Sequence, residues 1–292
     1  MLKEWPLVAF TILGQTAVGM SLFFFLPIVL SAELNWNVRS REGTLLVLGL
    51  ILGSLVIAAA LSFFHLRHPF RARRVLLNLR TSWLSREIFF ELAFMGLVGL
   101  AFVFVWTERA GDVLFKVDLA AAIIAGILFL VSMSKLYMLE TLSPWNSAYT
   151  GMSFFLTTMT LGALAAACVG RIFVGPRDPN RFGYLSSFWL VAVFFIMANA
   201  LFAVLLTPHH GLDRFQRRPS LRPPAAASRL LYLGRLALLA GGFVLILLSE
   251  FVGGPEWIAG RIPVLCVPFA LILSSEVAGR FLFYSFVPRS GD

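Results

Sequence analysis

Long apolar runs separated by short polar segments make up most of this chain. A membrane-spanning helix needs about 20 mostly apolar residues. Runs of that kind occupy residues 7–31, 44–64, 87–107, 113–135, 151–173, 184–206, 230–251 and 262–287. They lack the apolar–polar alternation of a membrane β-barrel. We therefore predict an all-α, polytopic integral membrane protein with eight transmembrane helices.

The segments between the runs are too short to form a soluble domain. The longest, residues 207–229, contains Pro219, Pro223 and Pro224 and suits a surface connection. No internal repeat is visible, although eight helices permit two four-helix bundles. We expect residues 1–292 to form a single transmembrane domain arranged in this way.

Composition excludes several kinds of cofactor and partner. Cys168 and Cys266 both lie in predicted helices, so the chain offers no disulfide framework and no thiolate metal site. An iron–sulfur cluster needs about four cysteine ligands, which the chain does not have. The net charge of +9 is explained by anionic lipid headgroups, without nucleic acid.

The positions of the histidines disfavour haem. All four, His65, His68, His209 and His210, lie at or beyond the ends of the predicted helices. A haem held between helices needs axial ligands within the spans. We therefore expect no haem and no other metal in this chain.

An even number of spans places both termini on one side of the membrane, which we call side A. The loops near residues 65–86, 135–150 and 207–229 lie on the same side, and the remaining loops lie on side B. Side A has the larger share of Lys and Arg residues. The positive-inside rule then predicts that side A is cytoplasmic.

The most polar part of the chain is the stretch from Phe64 to Ile88, between the second and third runs. It contains six arginines, two histidines and Glu87. Apolar residues are interleaved among the arginines, which is typical of an interfacial amphipathic segment. Lipid headgroups and an acidic partner protein remain alternative ligands of this surface.

Polar residues inside the spans are costly, so each one is a candidate for function. At about 1.5 Å of rise per residue, Gln15 lies roughly 12 Å inside the side A end of its helix. The same half of the membrane contains the predicted positions of His65, Glu87, Glu91, Tyr137, Asn199, Arg235, Glu276 and Arg280. We expect many of these side chains to converge on one polar pocket beside the basic stretch.

Two pairs in this set are spaced four residues apart. Glu276 and Arg280 share a helix face and are expected to neutralise each other, either as a structural salt bridge or within the pocket. Glu87 and Glu91 repel each other, so one is expected to hold a proton or to pair with Arg86 or Arg71. An acid at a helix start, favoured by the helix dipole, is the simpler interpretation of either carboxylate.

Five groups of residues, in order along the chain, resemble the membrane anchor subunit of the dimethyl sulfoxide reductase family. The groups are Glu4-Trp5-Pro6-Leu7 with Phe10, Thr11, Gly14, Gln15 and Gly19; His65-Leu66 with Pro69 and Arg71-Ala72; Leu84-Ser85-Arg86-Glu87-Ile88; Tyr137 with Pro144-Trp145 and Phe154-Phe155-Leu156-Thr157; and Glu276 with Gly279-Arg280 and Phe283-Tyr284. The likeness runs from end to end of the chain.

The resemblance implies a haem-free, eight-helix anchor in a bacterial cytoplasmic (inner) membrane. Such an anchor exchanges electrons between membrane quinone, either menaquinone or ubiquinone, and a four-cluster iron–sulfur subunit joined to a molybdopterin catalytic subunit. It is a quinone-reactive part of an oxidoreductase complex in anaerobic or sulfur respiration, and it does not itself turn over the terminal substrate.

The resemblance also implies roles for individual residues. His65 and Glu87 belong to the quinone site, with Arg71 close by; His65 takes a proton from the quinol and Glu87 relays it outward. Gln15 joins this site from the polar pocket, which Tyr137, Glu276 and Arg280 support. The arginine-rich middle of the basic stretch, Arg67, Arg73, Arg74 and Arg80, is predicted to dock the iron–sulfur partner.

Orientation and function remain open at this point. The anchor of quinone-linked sulfite dehydrogenase is a related protein whose catalytic pair is cytoplasmic, and the positive charge of side A favours that arrangement here. One alternative function is a transporter in which Arg235, Glu276 and Arg280 line a substrate path. The other is a purely structural anchor whose partners carry out all redox work.

Overall fold

Eight α-helices make up the part of the chain that the computed structural model describes, which is residues 5–30, 41–65, 78–110, 113–138, 148–173, 179–205, 225–251 and 262–285. They are α1 (Trp5–Leu30), α2 (Arg41–His65), α3 (Trp83–Trp106), α4 (Val113–Tyr137), α5 (Ala148–Phe173), α6 (Pro179–Leu205), α7 (Ala225–Phe251) and α8 (Ile262–Ser285). These ranges contain no strand. The predicted all-α fold is confirmed.

Seven of the eight helices contain an apolar stretch long enough to cross a membrane. In α6, the apolar stretch within the described residues is shorter, Leu190–Val204. Several helices begin before the apolar run that predicts them, because polar residues complete the first turn. The membrane-spanning character of the fold therefore agrees with the apolar pattern, while the helix ends do not follow it residue by residue.

The start of α3 shows how polar residues extend a helix. The hydroxyl of Ser82 forms the helix cap by accepting a hydrogen bond from the backbone N–H of Ser85 at 3.3 Å. Arg86 donates to the carbonyl oxygens of Leu79, at 2.8 Å, and Arg80, at 2.7 Å. Its guanidinium also lies 4.2 Å from the ring centroid of Trp83. These contacts fix the end of α3 on side A.

The helices form two four-helix bundles, as the sequence predicts. In the first bundle, α1 packs against α2 and α4, and α3 packs against the same two helices. In the second bundle, α5 and α7 each pack against α6 and α8. The bundles meet where α5 contacts α1 and α4, and where α8 contacts α1.

The closest approach between the bundles is the crossing of α1 and α5. A Cβ atom added at Gly19 would overlap the carbonyl oxygen of Thr158 and lie 2.7 Å from Cα of Gly162. Small residues allow this kind of backbone contact between membrane helices. The spanning window of α5 is 78% buried, against 22% in α7, so α5 lies at the centre of the molecule and α7 at its lipid-facing edge.

Candidate functional site

Glu276 of α8 is the centre of a buried hydrogen-bond network in the second bundle. Its Oε2 accepts a hydrogen bond from the Thr157 hydroxyl at 2.6 Å, and its Oε1 accepts one from the Asn199 amide at 2.8 Å. Nη2 of Arg235 lies 3.8 Å from Oε1 of Glu276 and donates to Oδ1 of Asn199 at 3.1 Å. The network joins α5, α6, α7 and α8.

The side chain of Arg235 is held against the backbone of α8. A Cβ atom added at Gly279 would lie 2.8 Å from Cζ of Arg235, so the missing side chain makes room for the guanidinium. The Ser275 hydroxyl donates to the carbonyl oxygen of Arg235 at 3.0 Å. The ion pair predicted between Glu276 and Arg280 is therefore not formed, since Glu276 pairs instead with Arg235 of the neighbouring helix.

Arg280, one turn further along α8, contacts the first bundle. Its Nη2 donates to Oε1 of Gln15 at 2.8 Å, and its guanidinium carbon lies 3.9 Å from the ring centroid of Phe154. The Gln15 amide reaches Sδ of Met133 at 3.9 Å. The expected convergence of Gln15 and Arg280 is confirmed as a direct contact between α1 and α8.

Two tyrosines join the bundles at the side A end. The hydroxyl of Tyr284 on α8 donates to that of Tyr137 on α4 at 2.8 Å, and Thr11 of α1 also hydrogen-bonds with Tyr284. Both hydroxyls interact electrostatically with Arg280 of the second bundle and with Glu87 of the first. The tyrosine pair is therefore within electrostatic reach of both a buried cation and a buried carboxyl group.

Glu87 and Glu91 are buried on one face of α3, with 2% and 5% of their surfaces exposed. Oε1 of each residue lacks a hydrogen-bond partner among the described residues, and neither forms an ion pair there. Arg86, one of their predicted partners, bonds to backbone carbonyl groups instead. Arg71, the other predicted partner, lies outside the described residues. We call the two groups the carboxyl couple, in which each acid has one oxygen without a partner in the part of the chain that the structure describes.

A third buried acid, Asp118, lies near the side B end of α4. It is 6% exposed, and both of its carboxylate oxygens lack a hydrogen-bond partner among the described residues. Sequence reasoning did not single it out, because it lies within the first turns of a predicted helix where an acid is unremarkable. It lies at the opposite end of α4 from Tyr137.

The structure brings together only some of the residues proposed from the sequence. Gln15, Glu87, Tyr137, Glu276 and Arg280 are all buried. Arg280 and Tyr137 take part in hydrogen bonds that join the two bundles, whereas Glu276 is bonded within the second. His65 ends α2, on the side of the membrane where α3 begins, but its side chain is not described. Three docking arginines, Arg67, Arg73 and Arg74, also lie outside the described residues.

The fourth docking arginine, Arg80, lies in the turn before α3 and is exposed. It is therefore accessible to a partner at the side A surface, as a docking residue requires. Its carbonyl oxygen is occupied by the hydrogen bond from Arg86. The position of Arg80 agrees with the predicted docking role without testing it.

The sequence pattern did not identify several residues of the site. Met133 has no signal, because methionine is common in apolar helices, and Thr157 appears only in the groups of residues that carry the family resemblance. Tyr284 has a sequence signal, because it follows Arg280 by four residues, just as Arg280 follows Glu276. Those three residues are spaced four apart along α8. Glu276 contacts its own bundle, whereas Arg280 and Tyr284 contact the first bundle.

The chemistry available at this site is hydrogen bonding and proton exchange. Carboxyl, hydroxyl, amide and guanidinium groups line it, together with the rings of Phe154 and Phe283, which pack 5.6 Å and 5.7 Å from that of Tyr137. Within the described residues, no group of three His, Cys, Asp or Glu side chains is placed to hold a metal ion.

Comparison with known proteins identifies the family. Residues 1–286 match the model of the DMSO reductase anchor subunit (DmsC) family. The protein is 28% identical to the anaerobic dimethyl sulfoxide reductase chain YnfH of Escherichia coli (strain K12) over 288 residues, covering 96% of this sequence and 94% of that one. It is 29% identical to an anaerobic dimethyl sulfoxide reductase chain of Haemophilus influenzae, with 97% and 94% covered.

A shorter match is to a sulfite dehydrogenase subunit of Allochromatium vinosum, 29% identical over 141 residues, which cover 44% of this sequence and 43% of that one. No solved structure matches the protein. The family match extends over both bundles and includes every residue of the buried network. The chain therefore belongs to the DMSO reductase anchor subunit (DmsC) family, as a multi-span membrane anchor subunit of DMSO reductase-like complexes.

Proposed function

We propose that this anchor subunit binds a quinone on side A and exchanges electrons between it and an iron–sulfur partner subunit. The observation that carries the proposal is the unpaired carboxyl group of Glu87 beside the Tyr137–Tyr284 hydroxyl pair. Ionisable groups buried within a membrane are expensive and mark functional sites. A quinone headgroup needs such a site, mostly apolar and with a few hydrogen-bonding groups.

The wall of the proposed site contains residues from both bundles. Glu87 and Tyr137 come from the first, while Arg280 reaches the same place from the second and is held there by Gln15. His65, at the side A end of α2, holds a quinone oxygen and takes its proton, with Arg71 close by. Glu87 relays the proton to side A.

Quinol oxidation in this scheme releases two protons to side A and two electrons to the iron–sulfur partner. Quinone reduction, the reverse reaction, takes up the same protons and electrons. The same residues serve both directions. Menaquinone and ubiquinone both fit the chemistry. The position of Tyr137 as the last residue of α4 supports a shallow site, which the transfer of electrons to a cluster beyond the surface requires.

The partner side of the proposal concerns the surface of side A. Arg67, Arg73, Arg74 and Arg80 form the docking surface for a four-cluster iron–sulfur subunit, which is joined to a molybdopterin catalytic subunit. The complex lies in a bacterial cytoplasmic membrane, with the termini and the quinone site on the cytoplasmic side. The exposure of Arg80 and the excess of Lys and Arg residues on side A support this arrangement.

The transporter alternative receives no support from the geometry. Arg235 and Glu276, which it places along a substrate path, bind each other and are fixed by Asn199 and Thr157. A substrate would have to break this network to pass. The purely structural anchor is the alternative that experiment must separate from a quinone-reactive one.

The test uses the assembled complex in membranes and two variants. His65→Ala should weaken the binding of a quinone-analogue inhibitor by about tenfold or more, since it removes a hydrogen bond to the ligand. Glu87→Gln should lower the quinol-linked kcat by about 100-fold, the low end of the contribution of a proton-transfer group. The measurements are inhibitor titration and quinol-linked turnover with the natural acceptor.

The matched control is His209→Ala, which removes another side A histidine, one that the proposal does not use. It should leave inhibitor affinity and turnover unchanged. Unchanged inhibitor binding in an assembled His65→Ala complex would show that this anchor is structural, and so would a Glu87→Gln complex with full turnover.

A further inference from the structure

We propose that Glu91 is a positioning residue of the same site, which holds one of the two protons next to Glu87. The inference rests on the proposed function, because it concerns the protons of the quinone reaction. Glu91 acts through Glu87 and does not touch the quinone.

The placement of Glu91 supports a direct exchange with Glu87. The two residues are four positions apart on α3, so their side chains lie on one face, with Cβ atoms about 6 Å apart. Glu91 lies about 6 Å deeper in the membrane, one helical turn from Glu87. Each has an Oε1 atom that is buried and without a hydrogen-bond partner among the described residues. Glu91 acts electrostatically on Glu87.

A comparison of the partners of Glu276 and Glu91 argues against a structural role for Glu91. Both oxygens of Glu276 receive hydrogen bonds, and a guanidinium lies beside it. A structural acid in this membrane protein is thus paired with its surroundings. Glu91 is equally buried and has no such partner among the described residues. Burying an unpaired carboxylate is costly, and binding a proton removes that cost.

Charged and titratable groups near Glu87 come from two other helices, and His65 ends a third. Tyr137 of α4 and Tyr284 of α8 interact electrostatically with Glu87, and Arg280 of α8 interacts with both tyrosines. His65 ends α2 on the same side of the membrane. Among these groups, only Arg280 has a fixed positive charge, and it donates to Gln15 of α1. Within the described residues, neither Glu87 nor Glu91 forms an ion pair with it.

The proposed sequence balances protons and electrons. Each O–H bond of the quinol breaks with its electron pair left on oxygen, and two electrons pass from the ring to the iron–sulfur acceptor of the partner. The first proton reaches Glu87 and moves to Glu91, which frees Glu87 to receive the second. Both protons then leave to side A through Glu87.

The experiment compares three substitutions of a carboxyl by an amide in the assembled complex: E87Q, E91Q and D118N. Each removes a buried, unpaired acid, so the three variants differ mainly in location. We expect E91Q to lower kcat about tenfold, to leave KM and inhibitor Kd within about twofold, and to raise the solvent deuterium isotope effect on kcat. D118N, at the other end of α4, should change none of these quantities.

A second pair of variants makes the test independent of the assembly of E91Q. E91D and E91N have equal size, and only the first keeps a carboxyl group. E91D should exceed E91N in kcat by about threefold or more. A purely structural role would affect both equally, and equal rates would overturn the inference.

The outcomes also separate this inference from the proposed function. Full activity of E91Q, together with weaker inhibitor binding in H65A and lower turnover in E87Q, overturns only the role of Glu91. Full activity of all three overturns the quinone site itself. If D118N lowers kcat as much as E91Q does, then the loss of any buried acid lowers kcat. That result also overturns the inference.

Discussion

The buried acids of the two bundles differ in their hydrogen-bond partners. In the second bundle, Glu276 is surrounded by Arg235, Asn199 and Thr157, and its carboxylate oxygens are both satisfied. In the first, the buried acids Glu87, Glu91 and Asp118 have oxygens without partners among the described residues. A paired charge stabilises one arrangement of helices, whereas an unpaired carboxyl group is available to react. Pairing therefore distinguishes the buried acid of the second bundle from the buried acids of the first.

The largest expected effect on stability comes from breaking the pairing in the second bundle. Arg235→Leu leaves the Glu276 carboxylate buried without its cation, which should lower the free energy of unfolding by about 3–5 kcal/mol. The measurement is unfolding in mixed micelles by increasing fractions of a denaturing detergent, followed by tryptophan fluorescence.

The double variant with Arg235→Leu and Glu276→Leu is the control for this change. Removing both partners leaves no unpaired charge, so it should recover most of the lost free energy, because apolar replacements of buried ion pairs are often neutral. A double variant no more stable than the single one would contradict a structural role for the pair.

A smaller effect is expected from one hydroxyl group in the same network. Thr157→Val keeps the shape of the side chain and removes the donor to Glu276, which should cost about 2 kcal/mol, as for hydrogen bonds to charged groups. Thr158→Val is the matched neighbour, since its hydroxyl donates only to the carbonyl oxygen of Phe154 in its own helix, at 2.8 Å. It should cost about 0.5 kcal/mol in the same unfolding assay.

The smallest effect on stability should come from the acids of the first bundle. Glu87→Gln, Glu91→Gln and Asp118→Asn each remove a group that is unpaired in the described residues, so the free energy of unfolding should change by less than about 0.5 kcal/mol or should rise. Glu276→Gln in the same assay provides the contrast, because it weakens bonds to two partners. Losses of equal size in all four variants would remove the distinction between the bundles.

The sequence predicted the fold because membrane helices depend on local composition. Apolar runs of spanning length predict each helix without knowledge of its neighbours, and short connections place successive helices side by side. The same reasoning located Gln15, Tyr137, Glu276 and Arg280 in one half of the membrane. Depth along a helix is a property of sequence position alone.

The pairing of these residues was not predictable in the same way. Glu276 and Arg280 are spaced for an ion pair, but rotation about the axis of α8 presents Glu276 to Arg235 and Arg280 to Gln15. That rotation depends on how α7 and α1 pack against α8, including the room left by Gly279. Asp118 and Thr157 were missed for a related reason, since their importance depends on the residues opposite them.

The hydrogen bond between Gln15 and Arg280 joins residues separated by 265 positions, from the first helix to the last. During synthesis at the membrane, α1 is inserted long before α8 has been made. Until α8 is inserted, Gln15 therefore lies in the bilayer without Arg280, and Tyr137 lies there without Tyr284. The polar interior of the protein is completed only by its final helix, so a protein truncated before α8 would present unsatisfied groups to the machinery that removes misassembled membrane proteins.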